Sequence, residues 1–291
     1  MITSARWKNP TILLLLALGL LLPAAAGAGE PIERSQGTTE SPLVRIENIL
    51  GSVVIQGWDK SEVQVTGTIG DGTEGVDFSG SEKRVDIEVE YPDHSWNSRT
   101  GETDLVVKVP LRADVSVEGV NLRISATDLR GSIETETVNG TIRIEGELET
   151  IEAQNVNGEI VIHGASPRIE AESVSGKIVL RGDLEEASAE TVSGAIEVYA
   201  EEIESGEFGS VSGSIHFEGG LAARGSLDIE GHSGSVTLVL PRDLSAEFDV
   251  STFSGDIDNE FGPEAERTSR YAPGKELRFE TGGGEARISI E

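Results

Sequence analysis

The sequence predicts an all-β fold, a single-chain β-solenoid (β-helix) of 18–21-residue coils with a β-rich N-terminal cap. The first observation behind this prediction is a cassette, rich in Val and Ile, that ends in Asn-Gly or Ser-Gly and recurs seven times. Successive cassette glycines are 18, 18, 18, 19, 21 and 21 residues apart, which leaves no room for a helix in each repeat. These glycines are Gly140, Gly158, Gly176, Gly194, Gly213, Gly234 and Gly255.

The second observation is that apolar residues hold fixed positions relative to each glycine. Position +2 is Ile or Val in every cassette, position +4 is apolar in most, and position −2 is usually Val. Alternate side chains of a strand share one face, so the +2 and +4 side chains are predicted to point inward, with a second inward pair at −7 and −5. The +2 row is Ile142, Ile160, Ile178, Ile196, Ile215, Val236 and Ile257.

The third observation is the turn chemistry of the cassettes. Asn-Gly and Ser-Gly suit turns that need a positive φ, so a turn of that kind is predicted at each cassette glycine. Equivalent residues of successive coils are then expected about 4.8 Å apart, stacked in ladders.

Residues 1–28 have the order of a secretory signal peptide. Arg6 and Lys8 precede an apolar run, and the small residues 24–28 follow it, so cleavage is expected after Ala28. The run is short for a membrane span, and no other segment of the sequence approaches one. Without cysteine there is no lipoprotein attachment site. The mature chain is therefore expected to be exported, to the periplasm or to the cell surface and medium.

The remaining regions differ in composition. Residues 29–42 are polar and are predicted to be a flexible lead, and 43–118 read as short strands and turns that form a β-rich cap on the solenoid. Residues 119–259 hold the solenoid repeats. In 260–291 the period breaks before two further strand patterns, which are predicted to close the other end.

The charge of the chain excludes one class of partner. Residues 1–28 hold two of the 23 basic residues and none of the 52 acidic ones, so the mature chain carries a net charge of −31. Nucleic-acid binding requires a basic surface and is excluded on this ground, and anionic lipid is disfavoured.

Four sequence features together resemble a known family. They are Gly51-Ser-Val-Val-Ile-Gln-Gly-Trp-Asp59, Val107-Lys-Val-Pro110, the tandem Val-Asn-Gly and Val-Ser-Gly cassettes, and Gly282-Gly-Gly-Glu-Ala-Arg-Ile-Ser-Ile290. The combination resembles the bacterial "putative adhesin" family, domain of unknown function 4097, from about residue 43 to the end. The resemblance implies a β-solenoid of the bacterial envelope and brings no catalytic residues with it.

Candidate catalytic residues are few. Gly231-His-Ser-Gly-Ser235 has a superficial likeness to the nucleophile motif of serine hydrolases, but Ser233 occupies the same repeat position as Ser175, Ser193 and Ser212. A pair of catalytic carboxylates needs two different environments, whereas the acids here repeat along outward positions. No catalytic residue is therefore assigned, and the chain is predicted not to be an enzyme.

Candidate metal ligands and cofactor sites are also few. His163 and His216 lie three coils apart, about 14 Å, which is too far for one zinc ion. Asp71, Glu74 and Asp77 lie in a glycine-rich turn but match no defined calcium loop. No cofactor and no metal site is assigned.

One outward feature repeats with the coils. Positions −6 and −4 are mostly acidic, so one face is predicted to display two rows of carboxylates, with like charges about 5 Å apart. Two interpretations stay open, a solvated face that keeps the chain soluble, or an interaction face for a cationic envelope partner or weakly bound divalent cations. The residues proposed for this acidic face are Glu134, Glu136, Glu152, Glu170, Glu172, Glu190 and Glu207.

The predicted function is that of a non-catalytic, exported envelope protein, an adhesin-like binding or structural β-solenoid whose partner is an envelope component, a surface glycan or a protein. The alternatives are a polysaccharide-active enzyme on a β-helix scaffold and an accessory protein in envelope-stress signalling. A cleft with converging, non-repeating polar side chains would favour the enzyme, whereas ladders alone would favour the binding protein.

Overall fold

The computed structural model describes residues 29–92, 100–269 and 273–291. The predicted export signal at 1–28 and His94 lie outside these ranges. The described residues form strands and turns without a helix. The strands are β1 (Glu30–Gly37), β2 (Leu43–Trp58), β3 (Glu62–Ile69), β4 (Gly75–Ser81), β5 (Arg84–Glu90), β6 (Thr103–Pro110), β7 (Asp114–Leu129), β8 (Ser132–Asn139), β9 (Ile142–Glu147), β10 (Thr150–Asn157), β11 (Ile160–Ser175), β12 (Ile178–Ser193), β13 (Ile196–Ser212), β14 (Ile215–Ser233), β15 (Val236–Val239), β16 (Ala246–Thr252), β17 (Glu266–Arg267), β18 (Lys275–Glu280) and β19 (Ala286–Ile290).

The central coils stack in parallel and in the register that the repeat predicts. Ile178 pairs with Ile160 in the coil before it and with Ile196 in the coil after it, and all three are fully buried. Burying an isoleucine side chain contributes about 1.5–3 kcal/mol, so the +2 row is a principal source of stability. The β-solenoid and the inward direction of the +2 row are confirmed for β9 and β11 to β14.

The cassette glycines are required by the close approach of one coil to the next. A Cβ on Gly176 would lie 1.8 Å from the carbonyl oxygen of Gly158, and a Cβ on Gly194 would lie 1.8 Å from that of Gly176. The predicted positive φ holds for Gly140, Gly158 and Gly234 but is not shared by the other stacked glycines. The contact between coils, and not φ alone, therefore excludes side chains along this row.

Parallel stacking begins upstream of residue 119. β2 pairs with β7 from Leu43 opposite Asp114 to Gln56 opposite Thr127, so β2 forms a coil in the same register. A long coil strand such as β2 has two halves, which we call its arms. β5 pairs in parallel with the N-terminal arm of β2, and β6 pairs in parallel with its C-terminal arm. The region 43–118, predicted as a β-rich cap, thus contains coil-forming strands in addition to capping strands.

Antiparallel strands cover the N-terminal end. β3 pairs with β6, β1 pairs with β3, and β4 pairs with β5, so the backbone groups of the first coil are hydrogen-bonded. The prediction of a flexible lead at 29–42 is wrong for Glu30–Gly37, which form β1. This segment is ordered because Ile32 is buried against the core while the backbone completes the edge of β3.

At the C-terminal end, β19 lies between β14 and β16 and is parallel to both. Leu227 and Phe248 both occupy position −7 of their cassettes, so the repeat predicts that they stack directly on each other. This prediction is wrong, because Ile288 lies between them. β18 pairs antiparallel with β16, and β17 with β18, which closes this end. The closing strands β17 to β19 lie within residues 260–291.

The seventh cassette leaves the solenoid. Ile257 lies outside any strand and Phe253 is 89% exposed, so the prediction that coils continue to residue 259 is wrong for this cassette. On this arm the regular stacking ends at β15, which pairs with β14. The cassette does not stack because β19 has taken the place next to β14 on the other arm, which separates the last repeat from the coil it would follow.

Candidate functional site

The structure places the predicted acidic residues in two rows on one face. Glu152 lies between Glu134 and Glu170 in the row at position −6, and Glu172 lies next to Glu190 in the row at position −4. Neither row is continuous. Ser188 interrupts the −6 row, and Gln154 and Gly209 interrupt the −4 row, while Glu136 and Glu207 occupy their expected rungs.

A third row, at position −2, consists of half-exposed valines. Val156 is 39% exposed, Val174 is 48% exposed, and Val192 and Val211 are each 50% exposed. These valines recur at position −2 of the cassette, and no surface role was predicted for them. The signal was present, because −2 differs from −4 and −6 by an even number of residues and must share their outward face. We call this set, with Val138, the valine row.

The −4 row and the valine row are the two walls of a surface groove. The residues at position −3 have buried side chains and form the floor between the walls. The groove has a volume of about 700 Å³ and crosses the six coils from Glu136 to Glu230, with His232 and Glu291 at its far end. Five steps of about 4.8 Å give a length of about 24 Å. We call this feature the axial groove.

Among the described residues, a basic side chain pairs with the −4 row only in the two coils that precede the groove. In the two preceding coils Glu47 and Glu118 extend the −4 row, and Arg45 lies beside them. Its Nε is 3.0 Å from Glu47 Oε1, and its Nη2 donates a hydrogen bond of 2.9 Å to Glu118 Oε1. Within the part of the chain that the structure describes, no basic side chain pairs with the following carboxylates, those of Glu136, Glu172, Glu190 and Glu230.

The −6 row shows the effect of crowded charge. Partial burial raises the pKa of the Glu152 carboxyl, and the charges of Glu134, Glu170 and Glu172 raise it further. The Gln154 side chain opposes this shift by donating a 3.2 Å hydrogen bond to Glu152. The rows therefore carry an unfavourable like-charge interaction that a cation on this face would relieve.

The other candidates from the sequence do not converge on a site. Ser193 is paired with Ser175 and Ser212, and Ser233 continues the same ladder, which is a structural repeat. His216 lies against the Tyr199 ring, with ring centroids 5.6 Å apart. Among the described ranges, no group of three or more His, Asp or Glu residues is arranged to hold a metal ion.

The family model described as Toastrack DUF4097 matches residues 44–278, which is most of the chain. The chain belongs to this family. The resemblance drawn from the motifs of the sequence is thereby confirmed. The comparison with curated proteins returned no match.

Solved structures are similar to this chain at low identity. A putative adhesin from Bacteroides fragilis NCTC 9343 is 18% identical with a TM-score of 0.53, over 72% of this chain and 97% of that one. A putative adhesin from Parabacteroides distasonis ATCC 8503 is 15% identical with a TM-score of 0.48, over 73% and 98%. A putative lipid binding protein from the same strain is 13% identical with a TM-score of 0.38, over 73% and 94%. The first of these supports the fold alone.

Over the residues that the structure covers, no helix is long and apolar enough to cross a bilayer.

Proposed function

We propose that this Toastrack protein is a non-catalytic, exported protein of the bacterial envelope that binds a partner along the axial groove. One observation carries the proposal. Half-exposed valines run beside the −4 row over successive coils, and the carboxylates of Glu172 and Glu190, on adjacent coils of that row, pair with no basic side chain of the described chain. Because hydrogen-bonded coils hold both rows at fixed spacing, the face is preorganised and loses little conformational entropy on binding.

A non-catalytic role is supported by the chemistry of the groove. From Glu136 to Glu230 its polar residues recur at the same positions of the coil, whereas general acid-base catalysis requires carboxylates in contrasting environments. The rise in the pKa of Glu152 has its causes in burial and in the neighbouring carboxylates of the same ladder. No feature of the groove favours a polysaccharide-active enzyme or a role in envelope-stress signalling over simple binding.

Export is supported by the signal-like residues 1–28 and by the name of the similar structure from Bacteroides fragilis, a putative adhesin. Fractionation should recover the protein outside the cytosol, and sequencing of its N-terminus should return a start near Gly29. A cytosolic protein that begins at Met1 would contradict the proposal.

Binding along the groove is testable in intact cells with a photo-crosslinking amino acid. Placed at Val174 in the valine row, it should give a discrete covalent adduct with an envelope component. The same probe at His163, which is exposed on the opposite arm of the coil, should not. Equal adducts at both positions, or none at Val156, Val174 and Val192, would refute the assignment of this face.

A further inference from the structure

The two walls of the axial groove differ in chemistry, and this difference specifies an occupant. We propose that the groove binds an extended polypeptide segment in which arginine or lysine alternates with small apolar residues. The inference rests on the proposed function and adds to it the chemical class of the partner.

The carboxylates of the −4 row, which form the acidic wall of the groove, require positively charged partners. Arg45 shows within this chain how such a partner binds. Arg45 pairs with Glu47 and Glu118, two carboxylates on adjacent coils of the same −4 row. Glu172 and Glu190 are likewise on adjacent coils, in direct register, but lack such a partner in the described residues. A guanidinium group from another chain can bridge them as Arg45 bridges the first pair, with charge-assisted hydrogen bonds.

The opposite wall requires apolar groups. The exposed surface of Val174 and Val192 faces solvent across the floor from Glu172 and Glu190. Successive side chains of an extended strand point in opposite directions. A strand lying along the groove therefore directs every second residue to the carboxylates and the residues between them to the valines, which selects an alternating basic and apolar sequence.

The dimensions suit such a segment. A groove about 24 Å long accommodates about seven residues at 3.3–3.4 Å per residue. A second copy of this chain is a poorer occupant, because a net charge of −31 on each copy opposes association. Nucleic acid is repelled by the same carboxylates.

The test is a titration of the purified protein with a fluorescently labelled peptide of about eight residues, alternating Arg and Val. Fluorescence anisotropy should report saturable binding at physiological ionic strength. The double substitution Glu172→Gln/Glu190→Gln should raise Kd about tenfold, which corresponds to about 1.4 kcal/mol. Val174→Ser/Val192→Ser should raise Kd at least about threefold, because the apolar contact is lost.

Two controls separate recognition from general attraction to an acidic chain. Glu145→Gln/Glu218→Gln removes the same charge from exposed positions on the other arm and should change Kd by less than about twofold. An alternating Arg-Ser peptide keeps the charge of the probe and should bind more weakly than the Arg-Val peptide. Thermal denaturation of each variant verifies that the fold is retained.

Several outcomes would overturn the proposal. They are equal losses for the groove and control variants, equal affinity for the Arg-Ser and Arg-Val peptides, no binding, or a protein dimer that occupies the groove. If the Arg-Val peptide fails while the Val174 crosslinker still captures an envelope component, the proposed function stands and only the partner chemistry is wrong. If the peptide binds but none of Val156, Val174 and Val192 gives an adduct in cells, the proposed binding of an envelope partner is the part that fails.

Discussion

The inward and outward rows of the same coils differ in how strictly one residue type recurs from coil to coil. Residues of the inward +2 row are nearly invariant in kind from coil to coil, as Ile160, Ile178 and Ile196 illustrate, because each must fit between two similar neighbours. The outward −4 row tolerates Gln154 and Gly209 among its glutamates. The valine row lies on the outward face yet is as uniform as the inward +2 row across five coils. Because a large part of each valine side chain is still exposed, this contrast singles out the valine row as a surface with a role.

The largest effect is expected from a charge in an inward row. Ile178→Asp would bury a carboxylate with no partner and should lower the free energy of unfolding by at least about 4 kcal/mol. Lys177→Gln is the control, since it changes the preceding residue and removes a 2.9 Å surface ion pair with Glu197. It should cost less than about 1 kcal/mol. Equal shifts in Tm for the two variants would contradict the inward and outward assignment.

The glycine row should be nearly as sensitive. Gly176→Ala places a methyl group 1.8 Å from the Gly158 carbonyl oxygen, and stacked coils on both sides prevent the backbone from moving away. The expected loss is about 3 kcal/mol, measured by chemical denaturation. Gly209→Ala is the matched control, because its added Cβ meets only the Glu190 side chain at 3.7 Å. A Gly176→Ala protein as stable as the Gly209→Ala protein would show that the coils can separate locally.

A smaller effect, of opposite sign, is expected in the −6 row. The raised pKa of Glu152 means that ionisation of this carboxyl destabilises the folded state. Glu152→Gln should therefore raise the free energy of unfolding at pH 7 by about 0.5 kcal/mol. The gain should disappear below about pH 4, where the carboxyl is protonated in both the folded and the unfolded chain. A gain that persists in acid would assign the effect to something other than charge.

The smallest effect concerns divalent cations. Since the described carboxylates form rows and not a cluster of metal ligands, millimolar calcium should raise Tm no more than sodium chloride of equal ionic strength. A clear excess for calcium, removed by replacing Glu152, Glu170 and Glu172 with Gln, would instead establish a weak cation site on the acidic face.

The sequence predicted those parts of the molecule that repeat regularly from one coil to the next along the solenoid axis. A period in the chain becomes a stack in space, so the +2 ladder from Ile142 to Ile215 could be deduced without coordinates. The insertion of β19 could not, because it pairs Ile288 with Leu227 and Phe248 across the end of the repeat and leaves no periodic trace.

The candidate site was predicted in part. Its acidic wall follows from the repeated glutamates. Predicting the groove also requires the recognition that the recurring valines of the cassette face outward. Arg45 was missed for a different reason. It lies in the first coil-forming strand, where the Asn-Gly and Ser-Gly signature is absent, and its distance from Glu118 along the chain hides their contact.

The position of β19 also dictates the order in which the C-terminal part can assemble. Among the described strands, β16 is joined to the solenoid only through its pairing with β19, and β19 pairs with β14 on its other side. A chain that is synthesised N-terminus first can build its coils one upon another as far as β15, each resting on a finished neighbour. Residues 246–252 (β16) can join the stack only after residues 286–290 have formed β19. The pairing of β19 with β14 and β16 forms slowly, because it joins residues far apart in the sequence. Until it forms, β14 has a bare edge at Leu227, which makes this the stage at which the protein is most open to proteolysis or to pairing with the wrong strand.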